Sequence, residues 1–146
     1  MNRNIFILII VFLVGFFLIN YFPSKKENIR YVKIVGQDIK VDLADTNESR
    51  AQGLSGRSDL KENEGMLFIF EHEGVYPFWM KDMNFDIDII WINKDLKVVY
   101  VKKNATPESY PKTYIPSENA KYVLEVLSGF SDKNNLKIGD SVLFTY

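Results

Sequence analysis

Residues 38–43 read Asp-Ile-Lys-Val-Asp-Leu, a strict alternation of charged and apolar side chains. In an extended chain Ile39, Val41 and Leu43 fall on one side, as expected for a strand with one buried face. The preceding segment, Tyr31–Val35, is a predicted partner strand, and Gly36-Gln37 is the predicted turn between the two. This hairpin makes a β domain the first hypothesis for the fold.

Short apolar segments continue toward the C-terminus and are separated by turn-forming residues. The pattern predicts five further strands: Met66–Phe70, Ile87–Ile92, Lys97–Lys102, Tyr122–Leu127 and Ser141–Tyr146. Two short stretches are predicted to be helical, one that begins at Thr46 or Asn47 and ends at Gly53, and one within Ser128–Asn135. The expected fold is therefore mainly β: a compact β-sandwich or jelly-roll-like domain, or a small barrel, with one or two short helices.

The N-terminus has a different composition, since Ile5–Ile19 is uninterrupted apolar sequence extended by Tyr21 and Phe22. As a helix, residues 5–22 would rise about 27 Å, close to the thickness of a hydrocarbon core. We expect residues 1–24 to form one transmembrane anchor, residues 25–30 a linker and residues 31–146 a single β domain. A cleaved signal peptide is the alternative, disfavoured because no small-x-small pair precedes a cleavage position. The β domain is expected outside the cytoplasm, although the flanking positive charges favour the inside.

Composition narrows the classes of function. The 146 residues include 18 basic and 19 acidic side chains, a net charge of −1, so no nucleic-acid partner is expected. The absence of cysteine excludes disulfides, thiolate zinc sites and cysteine nucleophiles. There is no P-loop, dinucleotide fingerprint or G-x-S-x-G motif. Neither a cofactor nor a metal site is predicted.

An unusual cluster, Phe-Trp-Met-Lys-Asp-Met, occupies residues 78–83. Adjacent strand residues face opposite ways, so Phe78 and Trp79 cannot both fill one core unless the segment is a loop that folds both rings inward. An exposed tryptophan would suit stacking on a flat ligand or a sugar. We expect Lys81 to pair first with the neighbouring aspartates.

Arg50 and Arg57 flank a glycine-rich bend, and the planar fork of arginine suits carboxylates. At least one of them is expected to form an internal ion pair. Glu125 lies on the same predicted strand face as Val123 and Leu127, where a carboxylate needs either a basic partner or an opening into a pocket. The ion pair is the first expectation; the pocket, which would raise the pKa of Glu125, is the alternative.

Asp86 and Asp88 share a strand face opposite Ile87 and Ile89. With Asp82 they could supply oxygen ligands to a cation, and Asp88 with Glu125 could form an acid/base pair like that of glycoside hydrolysis. Aspartates at alternating positions are more often the solvent-exposed side of a strand, which is the expected state here.

Several motifs together resemble the domain of unknown function 192 family from about residue 30 to the end of the chain. They are Arg50-x-x-Gly53-Leu54, Arg57, Gly65-Met-Leu-Phe68 with Phe70, Phe78-Trp-Met-Lys81, Asp88-Ile-Ile-Trp-Ile92, Tyr122-Val-Leu-Glu125 with Gly129, and Gly139-Asp140. The resemblance implies a compact, mainly β, jelly-roll-type domain that often follows a signal or anchor, and it implies no established reaction. The chain departs from the family pattern at Asp82, commonly asparagine, and at Asp86, commonly proline.

Three hypotheses for function follow. The first is a membrane-anchored extracytoplasmic β domain that binds a small polar ligand, a glycan or an envelope partner through Arg50, Arg57, Trp79, Lys81, Asp88 and Glu125. The second is a hydrolase that uses Asp88 and Glu125. The third is a structural or assembly factor without a ligand, which would present an apolar patch instead of a pocket.

Overall fold

The computed structural model describes residues 28–146 of the chain. The strands are β1 Tyr31–Ile34, β2 Gln37–Ala44, β3 Glu64–Gly74, β4 Phe78–Trp79, β5 Ile87–Ile92, β6 Val98–Ala105, β7 Thr113–Tyr114, β8 Ala120–Leu127 and β9 Val142–Thr145. Helix α1 is Asn47–Gln52, helix α2 is Phe130–Lys133, and Pro107–Ser109 forms a 3₁₀ turn. The predicted strand Ile87–Ile92 is present with the same ends, and the other predicted strands and both predicted helical stretches are present with shifted ends.

Seven strands form one sheet in the order β6-β5-β8-β3-β2-β1-β9, and β4 pairs with β7 in a small separate ribbon. All neighbours in the large sheet are antiparallel except β2 and β3, which are parallel and connected through α1. The sheet is curled into a half-barrel. Its two outermost strands approach at one end, where Lys97 and Ser141 form an isolated antiparallel bridge.

Both faces of the large sheet are covered by apolar side chains. One face, here the Leu124 face, carries Leu67, Ile90, Leu124 and Val126, and it packs with residues of β1, β9 and α2. The opposite face, here the Glu125 face, carries Phe68, Ile89, Trp91 and Val123, and it packs with the loop residues Leu54, Leu60 and Met80. β5 is buried along its whole length because it has apolar cover on both sides.

The architecture corrects part of the expected fold. A sandwich or jelly roll needs two sheets packed face to face, whereas the Glu125 face is covered by α1, by loops and by the two-residue strands of the β4–β7 ribbon. The small-barrel alternative is nearer to the observed curled sheet. The turn of the first hairpin also differs, because Val35 and Gly36, with φ of 46° and 80°, form it one residue before the predicted position.

The predicted anchor, residues 1–24, and the first half of the predicted linker, residues 25–27, lie outside the described residues. Within residues 28–146 no helix has the length and apolar composition needed to cross a membrane.

Candidate functional site: an aromatic cleft beside Glu125

A cleft of about 320 Å³ opens on the Glu125 face, between α1, the ends of β3 and β8, and β4. Three of the six predicted site residues line it: Arg50, Trp79 and Glu125. The rest of the lining is mainly aromatic and amide-bearing, and comprises Asn47, Ala51, Gln52, Gly53, Leu54, Ser55, Phe68, Phe70, Tyr76, Pro77, Phe78 and Met83. This volume lies at the lower end of the range of small-molecule sites, about 300–1,000 Å³.

Helix α1 positions Arg50 at the cleft. The Thr46 hydroxyl accepts from the backbone N–H of Ser49, while the Ser49 hydroxyl accepts from the backbone N–H of Thr46, so a capping box fixes the start of this short helix. One terminal nitrogen of Arg50 donates to the carbonyls of Asp45 (2.9 Å) and Ile69 (2.8 Å), and the other donates to Asn47 Oδ1 (2.6 Å). Its guanidinium also lies 5.4 Å from the centroid of the Phe70 ring. The guanidinium is thus held in place by neutral groups.

Glu125 comes from the middle of β8, where it is paired with Met66 of β3 and Ile89 of β5. Glu125 is only 4% exposed, and its Oε2 has no hydrogen-bond partner within residues 28–146. Burial among uncharged neighbours raises the pKa of Glu125 to about 8. The expected ion pair with an arginine or lysine is therefore wrong, and the alternative, a strand face that opens into a pocket, is what the structure contains.

Aromatic rings form the wall around this carboxyl group. Phe68 and Phe78 meet edge to face at 4.8 Å, and Phe78 in turn contacts Trp91 at 5.7 Å. Phe70 and Tyr76 stack in parallel planes at 3.5 Å. Such a wall keeps water away from Glu125 and offers flat apolar surface to a ligand.

Trp79 lies at the solvent edge of the cleft. Its side chain is 54% exposed, and its ring contacts only the edge of Tyr110 among described aromatic rings, at 6.1 Å. Neighbouring Phe78 is half-buried against Phe68 and Trp91, so the two adjacent rings have different environments. Trp79 is thus available to contact a molecule in the cleft.

The other two basic residues of the predicted site lie elsewhere. Arg57 forms a surface ion pair with Asp42 at 2.6 Å, so it is the arginine with an internal partner. Lys81 is exposed and forms no ion pair within residues 28–146, which contradicts its predicted pairing with the neighbouring aspartates. Its backbone carbonyl accepts a hydrogen bond from the Ser55 hydroxyl (2.8 Å), so it contributes to the loop under the cleft and not to the lining.

Asp88 has a structural environment. It is fully buried on the Leu124 face and accepts from the backbone N–H groups of Ser131 (2.8 Å), Asn104 (2.9 Å) and Gly129 (3.4 Å). The expectation that Asp88 lies on a solvent-exposed strand face is wrong. Its carboxylate ties the end of β6 and the start of α2 to β5.

The strand register also separates Asp88 from Glu125. Ile89 is paired with Glu125, and Asp88 is paired with Val126, so the two carboxylates project from opposite faces of the sheet. The acid/base pair of the hydrolase hypothesis does not form. In the described part of the chain no group of three acidic, histidine or cysteine side chains is arranged to hold a metal ion.

Several cleft residues escaped the sequence analysis, chiefly Phe70 and Tyr76. The period-two pattern of β3 contained part of the signal, because Met66, Phe68 and Phe70 alternate on one face and Met66 is the neighbour of Glu125. Tyr76 could not be placed in this way, since the pairing of β3 with β8 is irregular between Ile69 and Gly74.

Known proteins resemble this chain over most of its described residues. The sequence profile of the DUF192 family, described as "Uncharacterized ACR", matches residues 30–144. A UPF0127 protein from Thermococcus sibiricus is 31% identical over 108 residues, which are 70% of this chain and 64% of that protein. The chain therefore matches somewhat less than two-thirds of this relative's length.

Two crystal structures share the fold. A protein of unknown function from Novosphingobium aromaticivorans has a TM-score of 0.75 and 28% identity, with 83% of this chain and 89% of that chain covered. A protein from Sinorhizobium meliloti described as a candidate transcription regulator has a TM-score of 0.75 and 27% identity, with 84% and 98% covered. By its profile match over most of its length, the chain belongs to the DUF192 family of uncharacterised proteins.

Proposed function

We propose that this protein is a membrane-anchored, extracytoplasmic domain that binds a small ligand in the cleft beside Glu125. One observation carries the proposal: Glu125 lines an open cavity, and Oε2 of its buried carboxyl group has no hydrogen-bond partner among the described residues. A buried polar atom without a hydrogen bond destabilises the folded state by about 1–3 kcal/mol. A ligand that supplies the missing partner would relieve that cost, so the cleft is suited to binding.

The lining favours binding over hydrolysis. Glu125 is the one carboxyl group that the described residues contribute to the cleft, and Asp88 lies on the opposite face of the sheet. The Ser55 hydroxyl donates to the Lys81 carbonyl, and among the described lining residues there is no histidine to act as its base. The balance of 18 basic against 19 acidic side chains also lacks the basic excess on which DNA binding depends, so the description of the Sinorhizobium protein is not extended to this chain.

A purely structural or assembly role fits less well. That hypothesis predicts an apolar patch without a pocket, whereas the apolar rings here surround a cavity that contains an arginine and a carboxyl group.

The tryptophan at the solvent edge gives the first test. Trp79→Ala should weaken ligand binding at least about tenfold, because it removes the flat surface at the edge of the cleft. It should change the free energy of unfolding by less than about 0.5 kcal/mol, since the ring is largely exposed. Ligand-observed NMR with a set of small single-ring compounds, together with denaturant unfolding of each variant, would measure both effects.

Trp91→Phe is the matched control, because this tryptophan is fully buried and donates through Nε1 to the Tyr76 carbonyl at 2.9 Å. It should lower stability more than Trp79→Ala does. If the compounds bind Trp79→Ala as tightly as the wild type, or if none binds the wild type, the cleft is not the binding site that we propose.

The anchor is tested separately. We expect the full-length chain to remain in the membrane fraction after alkaline carbonate treatment, because residues 5–19 are apolar throughout and Tyr21 and Phe22 extend this segment. A C-terminal epitope tag should be digested when protease is added to intact cells. Release by carbonate would contradict the anchor, and protection of the tag in intact cells but not in lysed cells would place the domain inside.

A further inference from the structure

We propose that the ligand of this cleft is a small organic carboxylate with a flat apolar body, whose carboxylate contacts Arg50 while a second polar atom accepts a hydrogen bond from Glu125. This inference rests on the proposed function and specifies the class of ligand. It depends on three features of the cleft: its charge, the free donors of Arg50 and the neutral Glu125 carboxyl.

The charge of the cleft selects for an anion. Among residues 28–146, Arg50 and Glu125 are the only acidic or basic side chains in the lining, and they form no ion pair with each other. Because burial raises the pKa of Glu125 to about 8, this carboxyl group is mainly uncharged at neutral pH. Arg50 then leaves the cleft with one positive charge that no described side chain neutralises, and a ligand with one negative charge would complement it.

Arg50 has donors left for a ligand. A guanidinium group offers five N–H donors, and those of Arg50 make three hydrogen bonds among residues 28–146, to two backbone carbonyls and one amide oxygen. These bonds orient the side chain without consuming its charge. A carboxylate suits the remaining donors, because the planar fork of arginine matches its two oxygens.

Glu125 supplies the second contact. Its strand neighbours are Met66 on β3 and Ile89 on β5, neither of which can accept a proton or a hydrogen bond strongly. Across the cleft, the groups that titrate or carry charge are Arg50 on α1 and Tyr76, whose hydroxyl already donates to the His72 carbonyl at 2.7 Å. A protonated carboxyl in this position has an O–H to donate, and a ligand oxygen or nitrogen is the acceptor that the folded chain does not provide.

The walls and the volume limit the rest of the molecule. Phe68, Phe70, Phe78 and Trp79 present rings to a cavity of about 320 Å³. A ligand with one ring, or with an alkyl body of similar size, would fill such a space and stack on these surfaces.

The test uses three probes with one skeleton, each with a phenol oxygen as the second polar atom: 3-(4-hydroxyphenyl)propionate, 3-(4-hydroxyphenyl)propanamide and 3-(4-hydroxyphenyl)propylamine. Isothermal titration calorimetry on the full-length chain in detergent, with empty micelles as the blank, would compare their affinities at pH 7. The carboxylate should bind at least about tenfold more tightly than the amine. Arg50→Gln should weaken carboxylate binding about ten- to hundredfold, whereas the matched Arg57→Gln, at an arginine outside the cleft, should leave it unchanged.

The pH dependence tests the role of Glu125. Carboxylate affinity should fall about tenfold between pH 7 and pH 9, because only the protonated form of Glu125 is competent to donate to the ligand. Glu125→Gln keeps a neutral donor of the same shape, so this variant should bind with near wild-type affinity and lose the dependence on pH. Arg50→Lys keeps the positive charge, so it should retain more affinity for the carboxylate than Arg50→Gln. This comparison controls for a loss of binding caused by misfolding.

The outcomes separate this inference from the proposed function. If the amine or the amide binds more tightly than the carboxylate and binding still depends on Trp79, the cleft is a ligand site but not one for carboxylates. If none of the three probes binds the wild-type chain, the inference about carboxylates is overturned. If single-ring compounds of every charge also fail to bind, the proposed function fails with it.

Discussion

Asp88→Ala should be among the most destabilising single substitutions in this domain, with a loss of about 3–5 kcal/mol in the free energy of unfolding. The carboxylate is fully buried and accepts from three backbone N–H groups, those of Asn104, Gly129 and Ser131. Removing it takes the acceptor away from all three donors, and the N–H group of Ser131 is buried where water cannot replace that acceptor. Chemical unfolding of the full-length chain, followed by tryptophan fluorescence, would measure the change.

Asp86→Ala is the matched control, since Asp86 is an exposed aspartate two residues earlier in the chain. Its effect should stay within about 0.5 kcal/mol. Asp88→Asn should lower the free energy of unfolding by an intermediate amount. The amide keeps one acceptor oxygen, but its N–H group faces the remaining backbone donors. If Asp88→Ala and Asp86→Ala proved equally mild, the buried hydrogen bonds of Asp88 would not have the structural importance that we assign to them.

The second large effect is a fall in stability as the pH rises, caused by Glu125. In the unfolded chain this group has its ordinary pKa of 4.5, whereas in the folded chain the pKa is raised to about 8 by burial. Between these values the folded state holds a proton that the unfolded state has released. The contribution of Glu125 to the free energy of unfolding should therefore be highest below about pH 4.5. It should decrease by a few kcal/mol as the pH rises to about 8.

The difference between wild type and Glu125→Gln isolates this contribution from other titrating groups. The variant has no carboxyl group to ionise, so it should become progressively more stable relative to the wild type from pH 5 to pH 8, and the difference should level off above that. Glu118→Gln, at an exposed glutamate, should show no such trend. A constant difference between wild type and Glu125→Gln across this range would mean that Glu125 is ionised in the folded protein and has a partner.

Much of the strand pattern could be predicted because it depends on neighbours along the chain. The alternation of residues 38–43 predicted β2, and the same period placed Glu125 on the face of Val123 and Leu127, as observed. The start of α1 at Thr46 could be predicted for the same reason, because the capping residues are neighbours in the sequence. The two-residue strands β4 and β7 were not predictable, because they exist only as partners of each other, with Phe78 opposite Tyr114.

The candidate site shows the limit of such reasoning. The sequence correctly predicted that Asp88 and Ile89 point to opposite sides of their strand. The burial of Asp88, however, depends on N–H donors from β6 and α2, which are distant along the chain. Arg57 pairs with Asp42 on β2, and the sequence alone could not show whether an arginine would pair with this aspartate or with Glu125. That Arg50, Trp79 and Glu125 share one cleft depends on the covering of the Glu125 face by α1 and β4, which no single stretch of sequence specifies.

The pairing of β1 with β9 has a consequence for the synthesis of the chain. Tyr31 is opposite Thr145, so the first and last strands of the domain are neighbours in the sheet, and β9 forms its outer edge beside β1. Contacts between residues so distant along the chain close large loops and slow folding. A ribosome must therefore synthesise the chain from β1 through β9 before β1 gains its second partner, and until then β1 offers an unpaired edge to other nascent chains.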